Sequence, residues 1–598
     1  MNSRRGPSGR VKEKPRDVKY VLRRLWDYMF YYKWWLALAL VLTILSNLFA
    51  LIGPVLSGHI IDDIKSLIIG EANTEILKDI FIFAGMMLGF YVLSSLFSYI
   101  LAIIMMKMSK KIVYKMREDT FKSLMQLPIS FFDSYQTGDI ISRMSYDIDT
   151  INTSLSSDLI QICTSLITVV GSLVMMIILS PLLVLVFAIT IPISLLFTRF
   201  MLKHTQKMFR ARSRTLGELN GFSEEMITGI KPIKAYATEG KVLENFDVYN
   251  NVATSAAYKA EFYGSITGPG VNFVNNLSLS LVCMFGSILL LRKPTFTIGN
   301  LATFVQYSRR FSGPINEIAN IFVDIQSALA AGERVFKLID AKKEPRDLES
   351  ACTLDNVLGD IKFDHVKFGY NLDREVIHDL SFEASAGKVI AIVGPTGAGK
   401  TTIVNLLMRF YDIWDGAISL DGTNITDIKR DSLRKSYAMV LQDTWLFQGS
   451  VFENVSYGSD LATLEDVQNA CKAAKVDGFV SRLKEGYDTI LIEGGVNISK
   501  GQKQLLTIAR AMLLDANMLI LDEATSNVDT STEVKIQEAM KNLMVGKTCF
   551  IIAHRLSTIT NADLILVVKD GDIVEMGKHK DLLEAKGFYH QLYYSQFE

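Results

Sequence analysis

The 598-residue chain lacks a net charge, since 63 lysines and arginines balance 63 aspartates and glutamates, so overall charge points to no particular partner. It also lacks cysteine pairs. Cys163, Cys283, Cys352, Cys471 and Cys549 are odd in number, widely spread and never in a C-x-x-C arrangement, which gives neither a disulfide framework nor a zinc site. They read as reduced thiols, two in membrane and three in cytosol. The seven histidines are equally scattered. No small-residue cleavage site follows the first apolar run, which is too long for the core of a secretory signal peptide.

Apolar sequence is plentiful. Hydrophobic residues make up 49% of the chain and the mean hydropathy is +0.24, high for a soluble enzyme. Arg4, Arg5, Arg10, Lys12, Lys14, Arg16, Lys19, Arg23 and Arg24 precede the first apolar run. A basic arm can bind nucleic acid, but before a membrane span it more often marks the cytoplasmic end. We adopt the membrane reading and expect no nucleic-acid partner. Six candidate spans follow, at 34–56, 80–106, 159–179, 182–199, 271–291 and 301–323. Most reach the roughly 20 residues that a membrane helix needs, and the fourth falls short. Residues 57–79 hold only Lys65 and Lys78 as basic residues, whereas 107–158 and 199–262 are long, polar and basic. The positive-inside rule puts these two segments and both termini in the cytoplasm, the segments as helices projecting from the bilayer.

The sixth span carries Arg309, Gly313, Asn316, Asn320 and Asp324 at helical spacing, with Arg310 and Glu317 beside them. Charges in lipid are costly, so this stripe faces a water-filled cavity or bonds to neighbouring helices. An amphipathic transport substrate near Arg309, Arg310, Asn316, Glu317 and Asn320 is the functional reading. Pro269, Asn272, Asn275 and Asn276 link the fifth span to the same surface more weakly. After Glu344-Pro345 the pattern changes to the short alternating strands and helices of an α/β domain.

In that second half, VIAIVGPTGAGKTT places Gly394, Pro395, Thr396, Gly397, Ala398, Gly399, Lys400, Thr401 and Thr402 between a strand and a helix. Glycines let backbone amides close around phosphate, and the helix N-terminus favours the anion. Lys400 reaches the outer phosphates and Thr401 can ligate magnesium. A second strand, MLILDEA, ends in Asp522 and Glu523. Asp522 suits the magnesium shell and Glu523 suits the catalytic carboxylate, because phosphoryl transfer needs metal, positioned donors and an aligned nucleophile. The cofactors expected are ATP and Mg2+.

Together these stretches resemble an ATP-binding cassette (ABC) exporter half-transporter, from about residue 20 to the end. The resemblance implies an α-helical six-span transmembrane domain fused to an α/β P-loop nucleotide-binding domain. The expected boundaries are a basic tail at 1–18, the transmembrane domain at 19–340, a linker at 341–358 and the nucleotide-binding domain at 359–598. It further implies that Tyr370 stacks on adenine and that Gln442 contacts magnesium and water. Asp529 in the SNVD stretch faces a partner, and His554 contacts the γ-phosphate. LPISFFDSYQTGDIISRMSYDID and EEMITGIKPIKAYATEG resemble the cytoplasmic loops that dock on nucleotide domains.

Ile498, Ser499, Lys500, Gly501 and Gln502 resemble the family signature, commonly Leu-Ser-Gly-Gly-Gln, with departures at its first and third positions. In the family this stretch closes over ATP held by a second chain, with Ser499 donating to the γ-phosphate. Intact Lys400, Gln442, Asp522, Glu523 and His554 beside an altered signature resemble the catalytic half of a heterodimeric exporter, so a second half-transporter is expected as partner, a heterodimer before a homodimer. The implied function is ATP-driven export of amphipathic drugs or lipids by alternating access, in a bacterial-type plasma membrane. A lipid or peptide exporter, an ATP-gated channel and a structural subunit are the alternatives.

Overall fold

The computed structural model describes residues 17–69, 74–371, 373–441, 444–459, 461–495, 497–522, 529–553 and 559–597. It divides into two compact units, Met1–Gln126 with Thr137–Lys342, and Leu127–Gln136 with Lys343–Glu598. The segment 127–136, carrying the LPISFFDSYQ stretch, thus groups with the nucleotide half.

The first unit is all helical: α1 (Val18–Phe30), α2 (Lys33–Ile68), α3 (Thr74–Leu124), then α5 (Thr137–Leu179), α6 (Pro181–Thr228), α7 (Ile230–Ala235), α8 (Glu239–Arg292) and α9 (Ile298–Ile339), with α4 (Ile129–Ser134) left to the second unit. The polar segments after the second span and after the fourth continue the same helices, so α8 alone runs for 54 residues. Among the described residues, α2, α3, α5 and α8 are long and apolar enough to cross a membrane by length and composition. α6 contributes a shorter apolar stretch, Pro181–Ile193, and α9 breaks its apolar run with Arg309, Arg310 and Glu317. Both departures follow from the charged stripe and the marginal fourth span.

Specific polar contacts tie this unit together. Asp62 of α2 accepts from Thr297 Oγ1 at 2.6 Å and from the Gly299 N–H at 2.8 Å, capping α9. The helices approach closely there: a Cβ on Gly299 would lie 2.1 Å from the Gly58 carbonyl oxygen, which makes glycine necessary. Two π-turns interrupt α5, at Arg143–Asp147 and Ser154–Asp158. Asp147 in the first is buried and receives both arms of Arg334 of α9, Nε at 2.8 Å and a terminal nitrogen at 2.7 Å.

The second unit holds two main sheets and a small antiparallel pair, β7 (Gly449–Ser450) with β8 (Ile490–Leu491). β1 (Ile361–Phe368), β2 (Ile377–Ala384), β4 (Asp415–Leu420) and β5 (Thr423–Asn424) form an antiparallel sheet ordered β2-β1-β4-β5. β3 (Val389–Val393), β6 (Tyr437–Val440), β9 (Met518–Asp522), β10 (Thr548–Ile552), β11 (Leu564–Lys569) and β12 (Asp572–Gly577) form the other, ordered β12-β11-β3-β10-β9-β6. It is parallel except for β12. Its near-continuous apolar strands are buried on both faces, as a helix-covered parallel sheet requires. One core joins its outer face to α12 (Leu464–Ala473), α13 (Lys500–Leu514) and α14 (Thr530–Met544), and the other joins it to the antiparallel sheet and α10 (Lys400–Leu407).

Candidate nucleotide-binding site

β3 sits between β10 and β11, and its C-terminal end delivers the glycine loop. Gly394, Gly397 and Gly399 have φ of 156°, 84° and 106°, backbone that side-chain-bearing residues rarely adopt. A Cβ on Gly394 would strike the Val568 carbonyl oxygen at 2.1 Å, whereas the space around Gly397 is open. The loop is therefore pressed against β11 on one side and free on the other, where phosphate can enter. Gly571 in the β11–β12 turn steadies it, donating its N–H to Ala398 at 3.1 Å. Thr401 is exposed at the start of α10 and Thr402 is buried.

Lys400 is buried, and its Nζ donates to the carbonyls of Gly394 at 2.8 Å and Pro395 at 3.0 Å. Burial pulls its pKa below the usual lysine range, and the charge of Asp522 acts the other way. This electrostatic link joins the two acid and base elements that sequence placed 122 positions apart, β9's end and the loop's last lysine. Asp522 closes β9 opposite Ile552 of β10. Tyr370 is exposed beyond β1; its hydroxyl lies 3.1 Å from Thr402 Oγ1, and Tyr411 meets its ring edge-on.

The signature stretch does a structural job. Ser499 Oγ accepts from the Gln502 N–H at 3.3 Å, and Gln502 Oε1 accepts from the Ser499 N–H at 2.9 Å, a reciprocal cap on α13. Lys500 is exposed and Gly501 buried. Asp529 similarly caps α14 through the Thr532 N–H at 2.9 Å, the bond that holds its carboxyl below the usual range. Gln442, Glu523 and His554 lie outside the described residues, as do Asn316 and Asn320 side chains.

Sequence reading missed several supports. Arg409, just after α10, has φ of 49° and is buried, donating to the carbonyls of Ile425 at 2.9 Å and Ile428 at 3.2 Å. Arg430 of the short helix α11 (Arg430–Lys435) is buried too, bonded to Asp347 at 2.8 Å and the Pro345 carbonyl at 2.9 Å. Arg434 reaches Glu344 at 2.5 Å. The Tyr411 hydroxyl donates to Asp133 of α4. None of these pairings leaves a spacing signal.

The transmembrane region of ABC transporters matches residues 28–315, and the ABC transporter ATP-binding region matches residues 377–526. The ABC transporter ATP-binding protein YfiC of Bacillus subtilis (strain 168) is 41% identical over 100% of this chain and 97% of its own length. The chain belongs to the ABC transporter family. A fatty acid ABC transporter ATP-binding/permease protein of Mycobacterium bovis is 43% identical to this ABC transporter over 81% of the chain and 76% of that protein. An ATP-dependent lipid A-core flippase of Aliivibrio fischeri is 33% identical over 98% and 99%. A solved structure of a bacterial Atm1-family ABC exporter with ATP bound superposes with a TM-score of 0.75 at 28% identity, covering 95% of this chain and 98% of that one. The ABC transporter is thus an integral membrane protein and a transport-coupled ATPase that binds ATP.

The residues present fit magnesium. Thr401 and Asp522 are hard oxygen donors near Lys400, and among the described residues no cluster of three carboxylate, histidine or cysteine groups forms a dedicated cage. Magnesium typically takes one or two protein oxygens and leaves the rest to phosphate and water.

Proposed function

We propose that this ABC transporter exports amphipathic small molecules, drugs or lipids, as one half of a two-chain assembly, a heterodimer before a homodimer. The observation that carries the reading is the exposed face of α9. Arg309, Gly313, Glu317 and Asp324 are exposed along it, while Phe304, Tyr307 and Phe311 are buried on the opposite face. Within the stripe the charges are not equivalent. Arg310 donates to the Ala50 carbonyl at 2.6 Å, and Glu317 accepts from Gln161 at 2.6 Å. Arg310 therefore supports helix packing and Arg309 is left to the cavity. The fatty acid transporter and the lipid A-core flippase among the chain's relatives favour lipids over peptides.

In the proposed cycle, backbone amides of residues 394–399 and the Lys400 ammonium cradle the phosphates, and Tyr370 stacks on adenine. Ser499, Lys500, Gly501 and Gln502 of one chain close over ATP held by the other, with Asp529 at the boundary. Glu523 orients the attacking water and takes its proton as the γ-phosphate leaves ADP; Gln442 and His554 hold that water and phosphate in line. Thr401, Gln442 and Asp522 would hold magnesium, which neutralises charge on phosphate oxygens. ATP drives an outward-facing state only because it binds the closed arrangement more tightly than the open one. The termini and nucleotide unit are cytoplasmic, in a bacterial-type plasma membrane.

ATPase activity and particle mass of the chain purified alone in lipid test this, with Glu523→Gln as control. The variant is expected to bind ATP normally while turnover falls by several orders of magnitude. An active dimer of this chain alone would remove the heterodimer preference; unchanged turnover in Glu523→Gln would remove Glu523 from its role.

A further inference from the structure

α1 and the turn into α2 present two apolar faces. Val21, Leu25 and Met29 are buried in one cluster with Met108 and Ile112 of α3 and Phe336 of α9. On the other face Leu22, Trp26 and Phe30 stay exposed, and Trp34 at the start of α2 is 78% exposed. A row of this kind is the mark of a helix lying at a lipid boundary.

Four exposed lysines border it. Lys33 begins the charge-free run of α2, and Lys107 ends the charge-free run 80–106 of α3, so both mark one edge of the apolar slab. Lys110 and Lys111 follow within a turn. Lys111 Nζ lies 5.3 Å from the Trp35 ring and 6.0 Å from Tyr32, and Lys33 Nζ lies 5.5 Å from Phe30. The α3 lysines and the α1–α2 turn therefore share one surface. Asp27 is the single carboxylate between residues 18 and 58, and residues 80–117 contain none. Among the described residues none of the four lysines pairs with an acid. A zwitterionic headgroup brings its own cation and leaves this charge unbalanced, whereas an anionic phospholipid balances it.

We infer that this surface binds an anionic phospholipid, its phosphate among Lys33, Lys107, Lys110 and Lys111 and its chains along Trp26 and Trp34. Occupancy is felt further on. Arg24 of α1 donates to Asp340 at the end of α9 at 2.7 Å, joined there by the Tyr20 hydroxyl, and Tyr28 stacks on Phe336 at 6.0 Å. α1 cannot shift without pulling the end of α9, so lipid at α1 raises ATP turnover. The inference rests on the membrane placement proposed above and not on the transported substrate.

The full chain is reconstituted in nanodiscs of phosphatidylcholine, with or without phosphatidylglycerol, and retained lipid is counted by native mass spectrometry beside ATPase rate. Wild type is expected to retain phosphatidylglycerol selectively and to turn over several-fold faster with it. Lys33→Gln/Lys107→Gln/Lys111→Gln should lose the selectivity and the stimulation, keep the rate seen in phosphatidylcholine, and recover both as the triple arginine variant. Arg24→Gln should retain the lipid but lose the stimulation. Equal retention by wild type and the glutamine variant overturns the site, as does displacement of the lipid by soluble glycerol phosphate. Persistent stimulation in Arg24→Gln overturns the coupling to α9. Absence of ATPase in every preparation would count against the proposed function, while the lipid count would still decide the site.

Discussion

With its ammonium tied to the carbonyls of Gly394 and Pro395, Lys400 must release two hydrogen bonds before it meets a phosphate. Charge-assisted bonds of this kind are worth about 1.5–3 kcal/mol each, so the exchange is favourable only because phosphate carries the larger charge. Lys400→Met is expected to weaken ATP binding by roughly ten- to a hundred-fold, read with a fluorescent ATP analogue, and to abolish phosphate release. Asp563 makes a second single-residue test. It accepts from the Val389 N–H at 3.0 Å and from Lys388 Nζ at 3.2 Å, steadying the start of the loop-bearing strand, and chiefly the backbone bond holds its carboxyl below the usual range. A depressed carboxyl stabilises the fold above its unfolded pKa and loses that contribution as pH falls through the folded value. Its side chain is 42% exposed, so solvent screening limits the effect. Asp563→Asn should cost about 0.5–1 kcal/mol at neutral pH and progressively less as pH falls below the ordinary carboxylate range, seen as converging thermal midpoints. At this scale the glycine loop was legible because its chemistry is local. For Ser499 and Gln502 the S-x-x-Q spacing specifies the helix cap that the structure shows, and their nucleotide role remains part of the proposal. Arg409 was not legible, because the carbonyls that it binds lie 16 to 19 residues away.

Helices and strands tell a different story. Apolar runs marked the membrane spans and the long basic segments read as projecting helices, but the exact ends of α3, α6 and α8 stayed hidden, since exposed helix faces carry little hydrophobic period. The π-turns of α5 were invisible, because such single-turn bulges are rare and carry no residue-type signature of their own. The linker is the clearest case. Residues 341–358 read as a linker, and within it Glu344 and Asp347 are held by Arg434 and Arg430, the latter almost fully buried. Arg430 is buried while Asp347 keeps 27% of its side chain exposed, so removing the arginine costs hydrogen bonds and packing more than it strands a buried charge. Arg430→Ala is expected to destabilise the nucleotide unit by about 1–3 kcal/mol, with a lower thermal midpoint. A loss below about 0.5 kcal/mol, the usual size for a surface change, would show the linker to be held elsewhere.

For the whole molecule, the thiols offer a map of sidedness. Burial pushes Cys471 and Cys549 up to about 12, leaving almost no thiolate at neutral pH, while Cys352 is exposed. A membrane-impermeant maleimide should label Cys352 in inside-out vesicles and leave it unlabelled in intact cells, with Cys471 and Cys549 silent in both. The reverse pattern would invert the proposed topology. The two-part organisation was legible from the change of pattern near Glu344-Pro345. That 127–136 belongs with the later part was not, because its Asp133 bonds to Tyr411 across 278 positions of sequence. This exchange of chain has a consequence for biosynthesis. The ribosome must add about 460 further residues after Gln136 before the last of its host unit exists. At about 5–20 residues per second, α4 waits roughly half a minute to a minute and a half before the unit it groups with is complete. Completion of the nucleotide unit is thus also the event that gives the early-made α4 its full set of neighbours.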